Sequence, residues 1–196
     1  PRSMLAYSLT SLMLLLSKLG YASADVEQGL KESIRLLDAE QGKIKLDAKE
    51  LASKNKGKYP VTYATSGLAG VATRWRQQFN ENAKLPGWDA EIPEMNHNEL
   101  VGWGGGDRRF APVFFKTQGN HPRNDKRIEI TREKIAEKTA VFDIHAKGDS
   151  QIEQSLYLIN IVDWASFYLA ALDDIDTIDI AVATKTTWKK KSEEGA

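Results

Sequence analysis

From residue 59 onward, short β-prone runs alternate with helix-length amphipathic stretches, and few folds accommodate that order. Tyr59-Pro60-Val61-Thr62-Tyr63-Ala64 reads as a strand, Thr65-Ser66-Gly67 as a turn, and about 67–82 as a helix. Phe110 to Lys116 is a second strand, Asp125 to Lys138 an amphipathic helix, and Thr139 to His145 a third strand. Residues 150–171 form a long apolar helix. Between these, residues 84–95 hold Pro86, Gly87 and Pro93 and read as a loop. Asn96 to Val101 reads as a short helix that Gly102-Trp103-Gly104-Gly105-Gly106 ends. The pattern predicts an α/β domain with a parallel sheet over 59–171 and helices on both of its faces.

The first 58 residues carry no strand signal. Residues 3–19 form an apolar helix, and 24–38 an amphipathic one through Val26, Leu30, Ile34, Leu36 and Leu37. Residues 39–58 are lysine-rich, with Leu46 and Leu51 as anchors of a short exposed helix. Met4 to Ala24 has some look of a signal peptide, with Leu12-Met13-Leu14-Leu15-Leu16 before Ala22-Ser23-Ala24. Tyr7, Ser8, Thr10 and Ser11 interrupt its front, and the run is too short for a bilayer, so a buried first helix is the expectation. The opening at Pro1-Arg2, without an initiator methionine, is expected of a piece of a longer polypeptide. A helical tail is expected from 177, running into Lys189-Lys190-Lys191.

Charge and cysteine narrow the function classes. Lys plus Arg and Asp plus Glu are both 27, which gives no electrostatic reason to expect nucleic acid or an anionic membrane as partner. There is no cysteine, so disulfides, thiolate catalysis and cysteine metal sites are excluded, and a cytoplasmic setting is compatible. His97, His121 and His145 share no short ligand spacing, so no metal and no cofactor are expected.

Glu94-Met95-Asn96-His97-Asn98-Glu99 packs two carboxamides, two carboxylates and an imidazole into one short stretch. His97 at a helix start suits an acid/base group, since that end of a helix disfavours added positive charge. A polar loop with a capping Asn describes the same residues slightly better. Glu81 falls in the last turn of the helix that follows the first strand, where a general base or a surface glutamate beside Lys84 would fit, the second more simply. Thr65-Ser66-Gly67 at a strand-to-helix junction offers N–H groups to a phosphate or sugar oxygen, though a plain turn explains it more simply. Gly104-Gly105-Gly106 lacks the ending of a P-loop, and His121-Pro122-Arg123 is most simply a turn entering a helix.

Several strings together resemble one family, the bifunctional phosphoglucose/phosphomannose isomerases. They are Tyr63-Ala64-Thr65-Ser66-Gly67, Arg74-Trp75 and Asn80-Glu81-Asn82-Ala83-Lys84, then, most specifically, Glu94-Met95-Asn96-His97-Asn98-Glu99-Leu100-Val101-Gly102-Trp103. His121-Pro122-Arg123 and Asp163-Trp164 with Ser166 and Tyr168 extend the resemblance over nearly the whole chain. It implies a Rossmann-like three-layer sandwich of the sugar-isomerase (SIS) type, with residues 1–196 as one C-terminal SIS domain. It also implies interconversion of glucose 6-phosphate or mannose 6-phosphate with fructose 6-phosphate through an enediol, without metal. By the resemblance Glu81 is the base that moves the proton, His97 assists ring opening, and Arg2 stabilises the enediolate. The implied partners are the sugar phosphate, an N-terminal SIS domain and a second copy in a homodimer.

Two departures accompany the resemblance. The family's lysine that helps the ring-opening histidine falls in register on Thr187, with Lys185 and Lys189 to either side. The family's main phosphate-binding Ser/Thr loop belongs to its first domain. A non-catalytic sugar-phosphate-binding module is therefore the competing reading. Glu81 and His97, 16 residues apart across a Pro- and Gly-containing loop, are expected to face one cleft. A helix returning from a strand nevertheless ends on the edge opposite the strands' carboxyl ends, which suits a site built between domains or subunits.

Overall fold

The computed structural model describes residues 4–180. Four parallel strands, β1 (Tyr59–Thr65), β2 (Trp88–Ile92), β3 (Phe110–Lys116) and β4 (Phe142–His145), lie in the order β2-β1-β3-β4. Side chains alternate across the two central strands as the pleat requires. Val61, Tyr63 and Phe114 enter one core, while Ala64, Val113 and Phe115 enter the other. Pro60 and Pro112 sit where each central strand still has one neighbour. Pairing with β2 begins at Val61 and pairing with β4 at Val113, so neither missing N–H interrupts a second ladder.

Helices cover both faces. On one side α2 (Val26–Asn55), α3 (Ala69–Ala83) and α6 (Gln151–Leu172) enclose the larger core around Trp75, Phe79, Tyr157 and Leu158. On the other, α5 (Pro122–Ala136) and an irregular segment after β2, which includes the one-turn helix α4 (Glu99–Gly102), bury Ile128, Ile135, Met95 and Trp103. The expected α/β parallel sheet with helices on both faces is thus the observed architecture. Helix α6 is long and apolar enough to cross a membrane by length and composition, but it lies in this core, with Leu158, Ile161, Val162, Ala165 and Leu169 fully buried.

Several sequence expectations need correction. Residues 39–58 are not a separate exposed piece, because α2 runs unbroken for 30 residues. Its buried stripe continues through the lysines at Ile44, Ala48, Leu51, Ala52 and Asn55, while Lys31–Glu27, Lys43–Asp47 and Lys54–Glu50 pair along the exposed side. The first helix, α1 (Leu5–Lys18), is not a buried one, since none of its residues is buried. It rests against α2, and its Leu5, Leu9 and Met13 line a cavity shared with α3 and α6. The expected loop at 84–95 contains β2, whose polar Asp89 is compensated by Arg76 and Thr73 of α3. The third expected strand shrinks to 142–145, because Thr139 turns its hydroxyl to the Phe110 carbonyl at 2.9 Å. Residues 177–180 are not helical, and the rest of the expected tail helix lies outside the described residues.

Candidate active site

Helix α3 carries Glu81 in its last turn. The helix is anchored from below by Trp75 and Phe79, both fully buried, and the Trp75 indole donates to the Leu158 carbonyl at 3.0 Å. Its sides are tied to α6. Asp163 accepts from Gln78 at 2.6 Å and from Arg74 at 3.1 Å, and Asn82 donates to the Ser166 hydroxyl at 2.8 Å. Burial pushes the Asp163 carboxyl above its ordinary value, against the opposing pull of Arg74 and Gln78. Lys84 ends the helix in a left-handed conformation, φ 54°, and its ammonium donates to the Glu81 carbonyl at 2.6 Å. The lysine therefore caps the backbone there, and Glu81 itself stands exposed at the helix end.

His97 belongs to a different construction. After β2 the chain makes a 3-10 turn over Glu94–His97, then α4, then a second 3-10 turn over Trp103–Gly105. Asn98 caps α4 by accepting from the Glu99 N–H at 2.6 Å, so the capping Asn read from the sequence is present. The segment is pinned at both ends. Met95 is buried, and the Asn96 amide donates to the Thr131 hydroxyl of α5 at 2.6 Å. Further on, the Glu99 carboxylate accepts from the Trp88 indole at 2.9 Å and from the Tyr63 hydroxyl, which in turn accepts from the Trp103 indole at 2.7 Å. Burial, with Glu99 alongside, raises the Tyr63 phenol far above its ordinary range, so its O–H remains a donor. His97 itself projects into solvent.

One chain does not bring Glu81 and His97 into a shared cleft. β2 is parallel to β1, so the chain enters it from the end of α3 at the amino ends of the strands and leaves it toward His97 at their carboxyl ends. The two positions are separated by the length of β2, on the order of 15 Å at about 3.3 Å per residue. Gly87, at the start of that passage, has no room for a side chain, because a Cβ would stand 2.4 Å from the Pro60 carbonyl oxygen. Arg2, the third expected site residue, lies outside the described residues, as do Lys185, Thr187 and Lys189.

The other candidates have local duties. Thr65 donates to the Asn120 side chain at 3.0 Å, Ser66 donates to the Glu91 carboxylate, and the Gly67 carbonyl accepts from Gln151 at 2.6 Å. These residues line a polar cavity of about 360 Å³ at the carboxyl ends of β1 and β3, where the strand order reverses. His121 caps α5, its Nδ1 accepting from the Arg123 N–H at 3.1 Å. Among the described residues no three His, Asp or Glu side chains are grouped to hold a metal ion. The residues that sequence reasoning missed are Tyr63, Trp88, Glu99, Trp103 and Asp163. Most of them stand inside the strings that carried the resemblance, which was the one signal available for them.

Residues 44–186 match the family described as the bacterial phospho-glucose isomerase C-terminal SIS domain. The bifunctional phosphoglucose/phosphomannose isomerase of Aquifex aeolicus (strain VF5) is 35% identical over 184 residues, covering 92% of this chain and 55% of that protein. The protein of the same description from Caldicellulosiruptor bescii is 33% identical over 184 residues, covering 88% and 54%. A glucose-6-phosphate isomerase like protein from Thermus thermophilus shares the fold, with a TM-score of 0.57 at 21% identity over 71% of this chain and 46% of that one. Sheet, helices and family match together define a SIS-domain protein. More narrowly, the chain belongs to the bacterial phospho-glucose isomerase C-terminal SIS domain family. It spans about half the length of the curated relatives it matches, 55% and 54%.

Proposed function

We propose that the chain is the C-terminal half of an aldose-ketose isomerase that interconverts glucose 6-phosphate or mannose 6-phosphate with fructose 6-phosphate. In this reading His97 assists opening of the sugar ring. Glu81 then takes the proton from C2 and returns it at C1 through an enediolate, which Arg2 stabilises. The substrate carries both oxidation levels, so the proton shift conserves atoms and electrons with no external oxidant or reductant. The remaining partners are an N-terminal SIS domain that anchors the phosphate and a second copy of the chain, in the cytoplasm.

What supports the reading is the family match over residues 44–186, which takes in both Glu81 and His97. Glu81 and His97 are each exposed on a braced element, yet they stand toward opposite ends of the edge strand β2, which counts against a site built within one copy. A base and a ring-opening group must meet one sugar. They can do so only if another domain or copy completes each half-site, so His97 of one copy is proposed to serve Glu81 of another.

The test uses the longest natural polypeptide containing this chain. Glu81→Gln keeps the size and removes the basic oxygen, so turnover of fructose 6-phosphate should fall roughly hundred-fold or more while sugar-phosphate binding survives. Mixing Glu81→Gln copies with His97→Ala copies should restore turnover that neither has alone. Full activity of Glu81→Gln would overturn the base assignment, and loss of turnover on chelation would overturn the metal-free chemistry. Binding without turnover in the unaltered polypeptide would leave a sugar-phosphate-binding module.

A further inference from the structure

The chain of side chains beneath His97 is an unusual way to fill a core. Tyr63 lies in the middle of the central strand β1, fully buried, with its ring 4.8 Å from that of Phe114. Two indoles and a carboxylate converge around its hydroxyl. Trp103 donates to it at 2.7 Å, it donates to Glu99, and Glu99 also accepts from Trp88 at 2.9 Å. Taking a carboxylate part-way out of water costs free energy that only good hydrogen bonds offset. Apolar residues of similar volume would fill the same space at no such cost. What the polar chain adds is direction, because it fixes Glu99, two residues beyond His97, to β1 and β2 at once.

The near side of the histidine is fixed independently by buried Met95 and by the bond from Asn96 to Thr131 at 2.6 Å. His97 therefore sits on a span of two residues between pins, with its side chain exposed and its backbone held. An ordinary surface loop needs neither pin. We propose that Tyr63 and Glu99 are positioning residues, which set the backbone of His97 through the part-buried Tyr63–Glu99–Trp88 hydrogen bonds. Neither touches substrate. The proposal rests on the reading above that His97 acts on the sugar.

A double-mutant cycle in the full-length polypeptide tests it. Tyr63→Phe removes one oxygen and leaves the ring in place. It should lower kcat about ten-fold with KM unchanged, the scale on which a small misplacement of a reacting group is felt. In the His97→Ala background the same change should have no further effect, because Tyr63 acts only through the histidine. Glu99→Gln keeps an acceptor for both donors and should retain most of the activity, whereas Glu99→Ala should match Tyr63→Phe. If Tyr63→Phe does not fold, Trp88→Phe removes one donor to Glu99 and takes its place in the cycle. Equal losses in both backgrounds, or full activity of Tyr63→Phe beside an impaired His97→Ala, would overturn the positioning role alone. Full activity of His97→Ala would overturn the role of the histidine and this proposal with it.

Discussion

The two ends of the edge strand β2 hold their exposed side chains by different means. Before β2, Glu81 lies in the last turn of a 15-residue helix that rests on the larger core through Trp75 and Phe79 and is laced to α6 by Asp163 and Ser166. After β2, His97 lies in an arm of one one-turn helix and two 3-10 turns. That arm is held by hydrogen bonds whose partners are distant in sequence, with Tyr63 reaching Glu99 over 36 residues and Asn96 reaching Thr131 over 35. The first position is precise because its secondary structure is rigid. The second depends on a few part-buried side-chain hydrogen bonds, and it has no long regular element to fall back on.

The largest expected effect belongs to the helix. Trp75 is fully buried between α3, α6 and Phe115, with its ring 4.8 Å from that phenylalanine. Trp75→Ala should cost about 3–5 kcal/mol of unfolding free energy, the usual range for emptying a large aromatic site in a core. Chemical denaturation measures this, and a loss under about 1 kcal/mol would break the claim that α3 stands on the main core.

This difference also accounts for what could be read in the sequence. The span of α3 was visible because Val71, Ala72, Trp75, Gln78 and Phe79 recur on one helical face. The central strands were visible because β1 and β3 are almost wholly buried and correspondingly apolar. The edge strand β2 was not. Its Asp89 and Glu91 make a poor strand until Arg76, Thr73 and Ser66 reach them from the preceding helix and turn. The continuity of α2 was hidden by lysines whose acidic partners lie four residues away. Glu81 and His97 entered through the resemblance, because their local chemistry fits a surface glutamate and a capped loop better than it fits a site. Their separation by the full length of β2 could not be seen while 84–95 read as a loop.

A smaller effect should appear in the arm. Trp103→Phe keeps an aromatic ring beside Phe110 but removes the N–H that Tyr63 accepts. The cost should be about 1 kcal/mol, the net worth of one buried hydrogen bond. Hydrogen exchange distinguishes the two regions further. Amides over 94–106 should exchange faster in the variant, while those of α3 change only as far as global stability does. Equal acceleration in α3 would mean that arm and helix open as one unit, and the contrast between the two ends of β2 would be lost.

The smallest effect concerns the brace between α3 and α6, and it has a defined sign. Asp163 accepts from Gln78 and Arg74, yet burial outweighs both and holds its carboxyl above the ordinary value. For an acid raised on folding, the stabilising contribution is fully present below the unfolded value, about 3.9. It is lost as pH rises through the folded value, because the native state then carries a charge it would shed more readily than the unfolded chain. Asp163→Asn removes that titration and keeps an oxygen acceptor for Gln78. Unfolding measured at neutral pH and again near the ordinary carboxylate range should therefore move in favour of the wild type on acidification. The change should stay within about 1 kcal/mol, since the side chain is partly open to solvent and the pair is screened accordingly. The opposite movement would show that the attraction of Arg74 outweighs burial. The helix bearing Glu81 would then be tied to α6 chiefly by an ion pair, and its hold should weaken as salt is raised.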